Sequence, residues 1–143
     1  MGNSAETLRI LFLCTGNSCR SQMAEGWTRQ MWGDRFEAYS AGILPTGVNR
    51  FAVAVMKEAG VDITVQRSKH VDEMKGLPFD AVITLCDEAR EACPVFPGKV
   101  RVLHHGFPDP ALAAGSYEEI LDAFRKVRDE ILQFILRLPG LIK

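Results

Sequence analysis

Strand-like and helix-like segments alternate along this chain, and that alternation limits the folds it can adopt. Four short apolar runs typical of strands lie at residues 7–14, 36–42, 79–86 and 99–105. Segments with apolar residues at helical spacing lie at residues 21–33, 49–60 and 116–138. Strands that alternate with helices favour a parallel sheet covered by helices on both faces. We therefore expect an α/β fold in three layers, with a four-stranded parallel sheet, formed as a single domain by residues 1–143.

The expected helices have recognisable ends and apolar faces. Asn49 is a suitable N-cap and Gly60 a suitable stop for the second helix, and Ser116 with Glu119 forms a capping box before the last one. The residues expected to be buried are Met23, Ala24, Trp27 and Met31 in the first helix, and Tyr117, Ile120, Leu121, Phe124, Val127, Ile131, Phe134, Ile135 and Leu138 in the last. At 143 residues the chain is long enough to bury a sizeable core.

Charge and hydropathy narrow the range of partners. The net charge is −1, so no overall field favours nucleic acid or a membrane surface, and we expect neither as a partner. No run approaches the ~20 apolar residues of a membrane span, and the first apolar run is too short for a secretory signal. We expect a cytoplasmic location, where cysteines are more often catalytic, redox-active or metal-bound than paired in stable disulfides. The four cysteines, at positions 14, 19, 86 and 93, have spacings that fit zinc poorly, so we expect no metal.

The stretch CTGNSCR, from Cys14 to Arg20, follows the first strand and precedes the first helix. Small residues such as Thr15, Gly16 and Ser18 allow successive backbone N–H groups to turn inward around an anion. The positive end of the next helix adds to this field, and Arg20 can hold two oxyanion oxygens in its fork. The same field favours the nucleophilic thiolate form of Cys14. The alternative is a buried structural cysteine beside a surface arginine.

Three residues whose side chains can take part in catalysis follow the ends of strands: Cys14, Cys86 and Asp109. Ligands of parallel sheets bind beyond the carboxyl ends of the strands, so we expect these groups to converge. Asp109, between two prolines, suits a general acid or a simple turn former. His104 and His105 are adjacent on a strand and point to opposite faces, so we expect packing and exposure rather than a metal pair.

The stretch LFLCTGNSCRSQMAEGW resembles the phosphate loop of the low-molecular-weight protein tyrosine phosphatase fold, and more closely that of the thioredoxin-coupled arsenate reductases built on it. The resemblance runs from about Leu8 to Arg137 and includes SAGI, AVITLCDEAREACP and VRDEI. It implies that Cys14 is the nucleophile, Arg20 the oxyanion clamp and Asp109 the general acid. The implied substrate-binding loop comprises Thr15, Gly16, Asn17, Ser18, Cys19 and Ser21. Within it, Asn17 and Ser21 would brace the loop and the thiolate, and Cys19 is interpreted as a small loop residue.

Cys86 and Cys93 distinguish the reductases from the phosphatases. Seven residues apart on a helix they would lie ~10 Å apart, whereas a disulfide needs Cα atoms roughly 4.4–6.8 Å apart. If CDEAREAC is helical when reduced, it must unwind to form that bond, which makes it a candidate redox switch. The alternative is two small buried residues that flank a helix.

The resemblance also implies a reaction and its partners. Arsenate, with phosphate or sulfate as binding analogues, would be reduced to arsenite by a relay from Cys14 to Cys86 to Cys93, in the service of arsenic detoxification. Thioredoxin would reduce the final disulfide as the electron donor, and no tightly bound cofactor is implied.

Two other functions stay open. A tyrosine phosphatase would hydrolyse phosphate monoesters through Cys14, Arg20 and Asp109, but phosphatases of this fold usually carry paired tyrosines after the acid. Here only Tyr117 follows it. A non-catalytic oxyanion sensor would signal through its redox-sensitive segment, and turnover would separate it from an enzyme.

The chain differs at one position from those thioredoxin-coupled arsenate reductases that bind potassium. Asn17, Glu25 and Ser40 match three positions of their potassium site, but Lys69 stands where those proteins have an aspartate. A lysine ammonium can replace the ion, so we expect no bound potassium.

Overall fold

The structure, a computed structural model, describes residues 7–142. Its strands are β1 (Leu8–Cys14), β2 (Phe36–Gly42), β3 (Ala81–Thr84) and β4 (Arg101–His104). Its helices are α1 (Arg20–Trp32), α2 (Arg50–Glu58), α3 (Asp87–Glu91), α4 (Tyr117–Leu136) and α5 (Leu138–Leu141), and short 3₁₀ turns lie at Val71–Met74 and Pro110–Leu112. The expected domain limits at residues 1 and 143 lie outside the described residues.

The four strands form one parallel sheet in the order β2-β1-β3-β4, which confirms the expected fold class. The register pairs Cys14 with Gly42 and Thr84 with His104, so the carboxyl ends of the strands lie at one edge. The chain passes from β1 to β2 in one direction and from β3 to β4 in the other. Helices α1, α2 and α4 pack against one another, and α3 contacts β1 and β3.

The predicted caps are confirmed. The Asn49 side chain accepts hydrogen bonds from two N–H groups in the first turn of α2. Gly60, just beyond that helix, adopts a φ of +84°, which suits a residue without a Cβ. Ser116 and Glu119 form the reciprocal capping box at the start of α4.

Some predicted boundaries differ from the structure. The last helix ends at Leu136 instead of residue 138, because Pro139 lacks an N–H group and its ring clashes with the preceding turn. Strand β3 covers Ala81–Thr84 rather than 79–86, so Cys86 lies beyond the strand, in the turn that leads to α3. Strand β4 is likewise shorter at both ends than the predicted 99–105.

Most residues of the predicted apolar faces are buried, Ile120 is partly buried, and two residues are exposed. Tyr117 is 62% exposed because it begins α4, and Met31 is 41% exposed because the chain leaves the core in the last turn of α1. Trp27 and Trp32 join α1 to α4, since each donates a hydrogen bond from Nε1 to a main-chain carbonyl of that helix. Within residues 7–142, no helix combines the length and the apolar character that crossing a membrane requires.

Candidate active site

The loop between β1 and α1 forms one wall of a cavity of about 210 Å³. Six of the residues singled out from the sequence line it, namely Cys14, Thr15, Gly16, Ser18, Cys19 and Arg20, and Asp109 lines it as well. Thr46 and Ala111 complete the lining of the cavity. The sequence did not predict them, because neither residue type indicates a catalytic or binding role. The cavity therefore unites residues from three separate stretches of the chain at the carboxyl edge of the sheet.

Backbone hydrogen bonds fix the shape of the loop. The carbonyls of Cys14, Thr15, Gly16 and Ser18 accept hydrogen bonds from N–H groups of residues 43–49 and so face away from the cavity. The N–H groups of residues 15–19 bond to no protein acceptor in the described part of the chain. This arrangement leaves the loop N–H groups available to a bound anion.

Asn17 and Ser21 brace the loop from behind, as the sequence suggested. Asn17 is fully buried, adopts a left-handed φ of +46° and donates from Nδ2 to Ser21 Oγ at 2.8 Å. Ser21 Oγ lies 2.8 Å from Cys14 Sγ. Because Asn17 donates to the hydroxyl oxygen, the hydroxyl proton is free to point at the sulfur of Cys14.

Arg20 is held at the cavity by two contacts. Its Nη1 donates to the Phe107 carbonyl at 3.1 Å, and its Nη2 lies 3.6 Å from Asp109 Oδ2. The other carboxylate oxygen of Asp109 accepts a hydrogen bond from the Ala111 N–H group. Asp109 therefore forms the turn and also lines the cavity, and its role as a general acid stays a prediction.

Cys86 lies beside the loop, since its Sγ is 3.3 Å from Thr15 Oγ1. It is the N-cap residue of α3 and also lines a neighbouring cleft of about 230 Å³ that shares Arg20 with the first cavity. All four cysteines are free thiols. The Cys86 thiol, from outside the loop, thus lies next to the oxyanion loop, and it is reduced.

Cys93 lies just outside α3, so Cys86 and Cys93 flank a helix shorter than the stretch CDEAREAC. The helix ends at Glu91, because the residue before Pro94 is disfavoured in helical conformation. Cys93 is half-buried, and this burial raises the pKa of its thiol. Its Sγ contacts the Pro94 carbonyl at 3.5 Å.

Cys19 behaves as a structural residue in the loop. It is 4% exposed, and burial raises the pKa of its thiol to about 12. A thiol with such a pKa stays protonated at neutral pH and is a poor nucleophile.

The residues around Glu25 do not fit a potassium ion. The Lys69 ammonium lies 3.9 Å from Glu25 Oε1, which also accepts a hydrogen bond of 2.6 Å from Ser40 Oγ. Asn17 Oδ1 is occupied by the Lys69 N–H group at 2.8 Å. Burial lowers the pKa of Lys69, and the charge of Glu25 opposes that effect. The Lys69 ammonium thus supplies a positive charge beside the buried carboxylate of Glu25.

The two adjacent histidines form separate contacts, as expected. His104 Nδ1 lies 2.8 Å from Thr84 Oγ1, whereas His105 packs between the rings of Phe107 and Phe134. Within the described residues, no group of three or more histidine, cysteine, aspartate or glutamate side chains is placed to hold a metal ion.

Comparison with known proteins places the chain in a family. Residues 9–139 match the family model of the low molecular weight phosphotyrosine protein phosphatase. Arsenate reductases of Bacillus subtilis and Halalkalibacterium halodurans are each 52% identical over 122 residues, which cover 85% of this chain and 88% of theirs.

Solved structures give the same relationship. An arsenate reductase in the phosphate-binding state superimposes with a TM-score of 0.77 at 28% identity, covering 96% of this chain and all of its own. A low molecular weight protein tyrosine phosphatase from T. tengcongensis superimposes with a TM-score of 0.73 at 29% identity, covering 95% of this chain and all of its own. The chain therefore belongs to the low molecular weight phosphotyrosine protein phosphatase family.

Proposed function

We propose that this chain is an arsenate reductase that converts arsenate to arsenite through a relay of three thiols. The observation that carries the proposal is the position of Cys86, whose Sγ lies 3.3 Å from Thr15 Oγ1 in the oxyanion loop. A hydrolytic enzyme has no use for a second free thiol at that place. The relatives named as arsenate reductases, which share about half of its residues, support the same activity.

Arsenate binds in the cavity of about 210 Å³. The inward N–H groups of the loop and the N-terminus of α1 attract the oxyanion, and the Arg20 guanidinium holds two of its oxygens. Phosphate and sulfate have the same tetrahedral shape and are the expected binding analogues.

The first chemical step forms a bond between Cys14 Sγ and arsenic. The Cys14 thiolate, stabilised by Ser21, attacks arsenic(V), and one arsenate oxygen leaves as water. Asp109 lines the same cavity and supplies the proton to the leaving oxygen.

The next two steps move the oxidation outward. The Cys86 thiolate attacks Cys14 Sγ, a disulfide forms, and the electron pair of the sulfur–arsenic bond passes to arsenic, which leaves as arsenite. Cys93 then attacks Cys86, which frees Cys14 as a thiolate. In total, arsenate and two thiols give arsenite, one disulfide and water.

We propose thioredoxin as the donor that reduces the Cys86–Cys93 bond by thiol exchange. Cys93 lines a groove of about 430 Å³ whose walls include the exposed side chains of Val95 and Val102. An apolar surface around the exit thiol suits the docking of a dithiol protein. The reaction needs no tightly bound cofactor, and its dependence on a reducing dithiol pool supports a cytoplasmic role in arsenic detoxification.

The second candidate function is phosphate monoester hydrolysis through Cys14, Arg20 and Asp109, which all line the same cavity. The family match supports this chemistry. Tyr117, the one tyrosine after the acid, begins α4 and packs its ring against Phe51 at 5.7 Å. It does not line the cavity, so it offers no wall for an aromatic substrate there.

The test is a thiol count on the fully reduced protein after arsenate is added without another reductant, followed by peptide mapping. We expect two of the four thiols to be lost and the new disulfide to map to Cys86 and Cys93. Phosphate in place of arsenate is the matched control, because it fills the same cavity but accepts no electrons from thiols. In the variant Cys93→Ser the disulfide should stop at Cys14–Cys86.

Two outcomes would contradict the proposal. If all four thiols survive while p-nitrophenyl phosphate is hydrolysed quickly, the chain is a phosphatase. If thiols are lost but neither a thioredoxin system nor dithiothreitol drives further arsenite formation, the chain is a sensor that reacts once.

A further inference from the structure

Helix α3 separates the last two thiols of the proposed relay, on which this inference rests. Cys86 caps its N-terminus, and Cys93 lies just beyond its C-terminal cap. The five residues of α3 span about 7.5 Å along the helix axis, and the two cysteines lie beyond its two ends, whereas a disulfide needs Cα atoms about 4.4–6.8 Å apart. The helix must therefore open before the Cys86–Cys93 bond can form.

Little within α3 itself keeps it closed. It has only five residues, far below the length at which an isolated helix is stable in water. Ala89 is its one buried residue. Arg90 lies 3.4 Å from Asp87 within the same helix, but this exposed pair contributes little. The closed form of α3 therefore depends on contacts with other elements, namely its packing against β1 and β3 and any side-chain contact to a third element.

His104, at the end of β4, provides such a contact. Its Nδ1 lies 2.8 Å from the hydroxyl of Thr84, which is fully buried in the neighbouring strand. The hydroxyl is 3.4 Å from its other acceptor, the Leu103 carbonyl, so we assign its proton to the shorter contact with Nδ1. The ring proton is then on Nε2, which lies 3.4 Å from Asp87 Oδ1. Among the side-chain hydrogen bonds and ion pairs of residues 7–142, this contact alone joins α3 to another element.

We propose that His104 is a positioning residue that holds α3 closed through Asp87. The sheet fixes the imidazole, and the imidazole fixes the first residue of the helix, which directly follows Cys86. The Cys86 thiol is thereby kept beside Thr15 and the loop that carries Cys14. The contact is released when α3 opens to let Cys93 reach Cys86.

This role affects the two disulfides in opposite directions. Loss of the contact destabilises only the closed helix, so formation of the Cys86–Cys93 bond becomes easier. The Cys86 thiol also becomes less well placed, so formation of the Cys14–Cys86 bond becomes slower. A partly exposed contact of this type changes an equilibrium or a rate by about two- to fivefold.

The variant His104→Asn tests the proposal, because asparagine can still bond to Thr84 but is too short to reach Asp87. In a Cys14→Ser background, equilibration with reduced and oxidised dithiothreitol measures the Cys86–Cys93 bond. The equilibrium constant for forming the Cys86–Cys93 disulfide should rise by about two- to fivefold. In a Cys93→Ser background, diamide closes the Cys14–Cys86 bond, and the rate should fall by a similar factor. In both reactions the oxidant accepts two electrons and two protons from the thiols.

Neither reaction uses arsenate, so both test the role of His104 even if the chain does not reduce arsenate. The longer His104→Gln variant should restore both values toward the wild type, because its amide reaches Asp87. The matched control is His70→Asn, since His70 contacts Asp72 at 3.5 Å in a turn outside α3. It should leave both values unchanged.

Two results would overturn the proposal. One is a His104→Asn protein in which both bonds form at wild-type values. The other is a protein in which both bonds form less readily and the melting temperature falls, since that pattern indicates a general loosening of the fold.

Discussion

The Ser21 hydroxyl oxygen lies 2.8 Å from Asn17 Nδ2 and 2.8 Å from Cys14 Sγ. Ser21→Ala should slow alkylation of Cys14 by iodoacetamide at pH 7 by about tenfold, because a hydrogen bond to a charged group contributes about 1.5–3 kcal/mol. Peptide mass spectrometry gives the rate at this cysteine alone. Ser68→Ala is the matched control, because Ser68 bonds to the Gly16 carbonyl and not to sulfur. Equal rates in Ser21→Ala and the wild type would show that the thiolate does not depend on this hydroxyl.

Cys19 is expected to make the stability of the fold dependent on pH. Burial raises the pKa of its thiol from 9.0 to about 12. Between these values the folded chain keeps a proton that the unfolded chain has lost, so the free energy of unfolding falls as the pH rises, by about 1.4 kcal/mol per pH unit. Urea unfolding of the wild type and Cys19→Ser at pH 8 and pH 10 measures this difference. The wild type should lose stability relative to the variant at pH 10. If the difference in the free energy of unfolding between the two proteins is the same at pH 8 and pH 10, the raised pKa of Cys19 is contradicted.

At the scale of secondary-structure elements, the end of β2 supports the oxyanion loop directly. A Cβ atom at Gly42 would lie 2.7 Å from the Asn17 N atom and 2.7 Å from the Thr15 carbonyl oxygen, which is too close. Gly42→Ala should therefore displace the loop and weaken phosphate binding by at least about tenfold, since a shift of several tenths of an ångström misaligns several N–H donors. Isothermal titration calorimetry measures the binding.

Gly76→Ala is the control for this substitution, because nothing lies within 4 Å of a Cβ at Gly76. It should bind phosphate like the wild type. Unchanged phosphate binding in Gly42→Ala would mean that the loop adapts to the extra methyl group.

The elements that sequence reasoning placed correctly are those that local patterns determine. Caps at Asn49 and Ser116 require only neighbouring residues, and both are present in the structure. The sequence left open whether a helix reaches Cys93, and α3 ends before it because Pro94 restricts the residue that precedes it. Thr46 reaches the cavity through its position after β2, and no local pattern predicts that. The bond from Lys69 to Asn17 uses a main-chain N–H group, which nearly every residue possesses.

At the scale of the whole molecule, oxyanion binding should stabilise the entire fold, because the cavity exists only when the strands that form it are assembled. A sulfate concentration of about 100 times Kd adds about 2.7 kcal/mol, which raises the melting temperature by about 9 °C for a chain of this size. Differential scanning calorimetry measures the shift. Arg20→Lys should lose most of it, because lysine keeps the charge but not the fork.

Arg101→Lys is the matched control, since Arg101 is an exposed residue of β4 that lies away from the cavity. It should show the full shift. A full shift in Arg20→Lys as well would indicate that sulfate stabilises the protein through the bulk solvent and not through the site.

The short helix between the last two thiols has a consequence for the lifetime of the protein. Arg90 lies inside α3 and is exposed to solvent, but a helical backbone does not enter a protease cleft. Under the proposed relay the oxidised chain presents this arginine on an opened segment, where a trypsin-like protease can cleave it. The enzyme would then be degraded fastest when its electron donor runs short, so the supply of reductant would control both its turnover and its abundance.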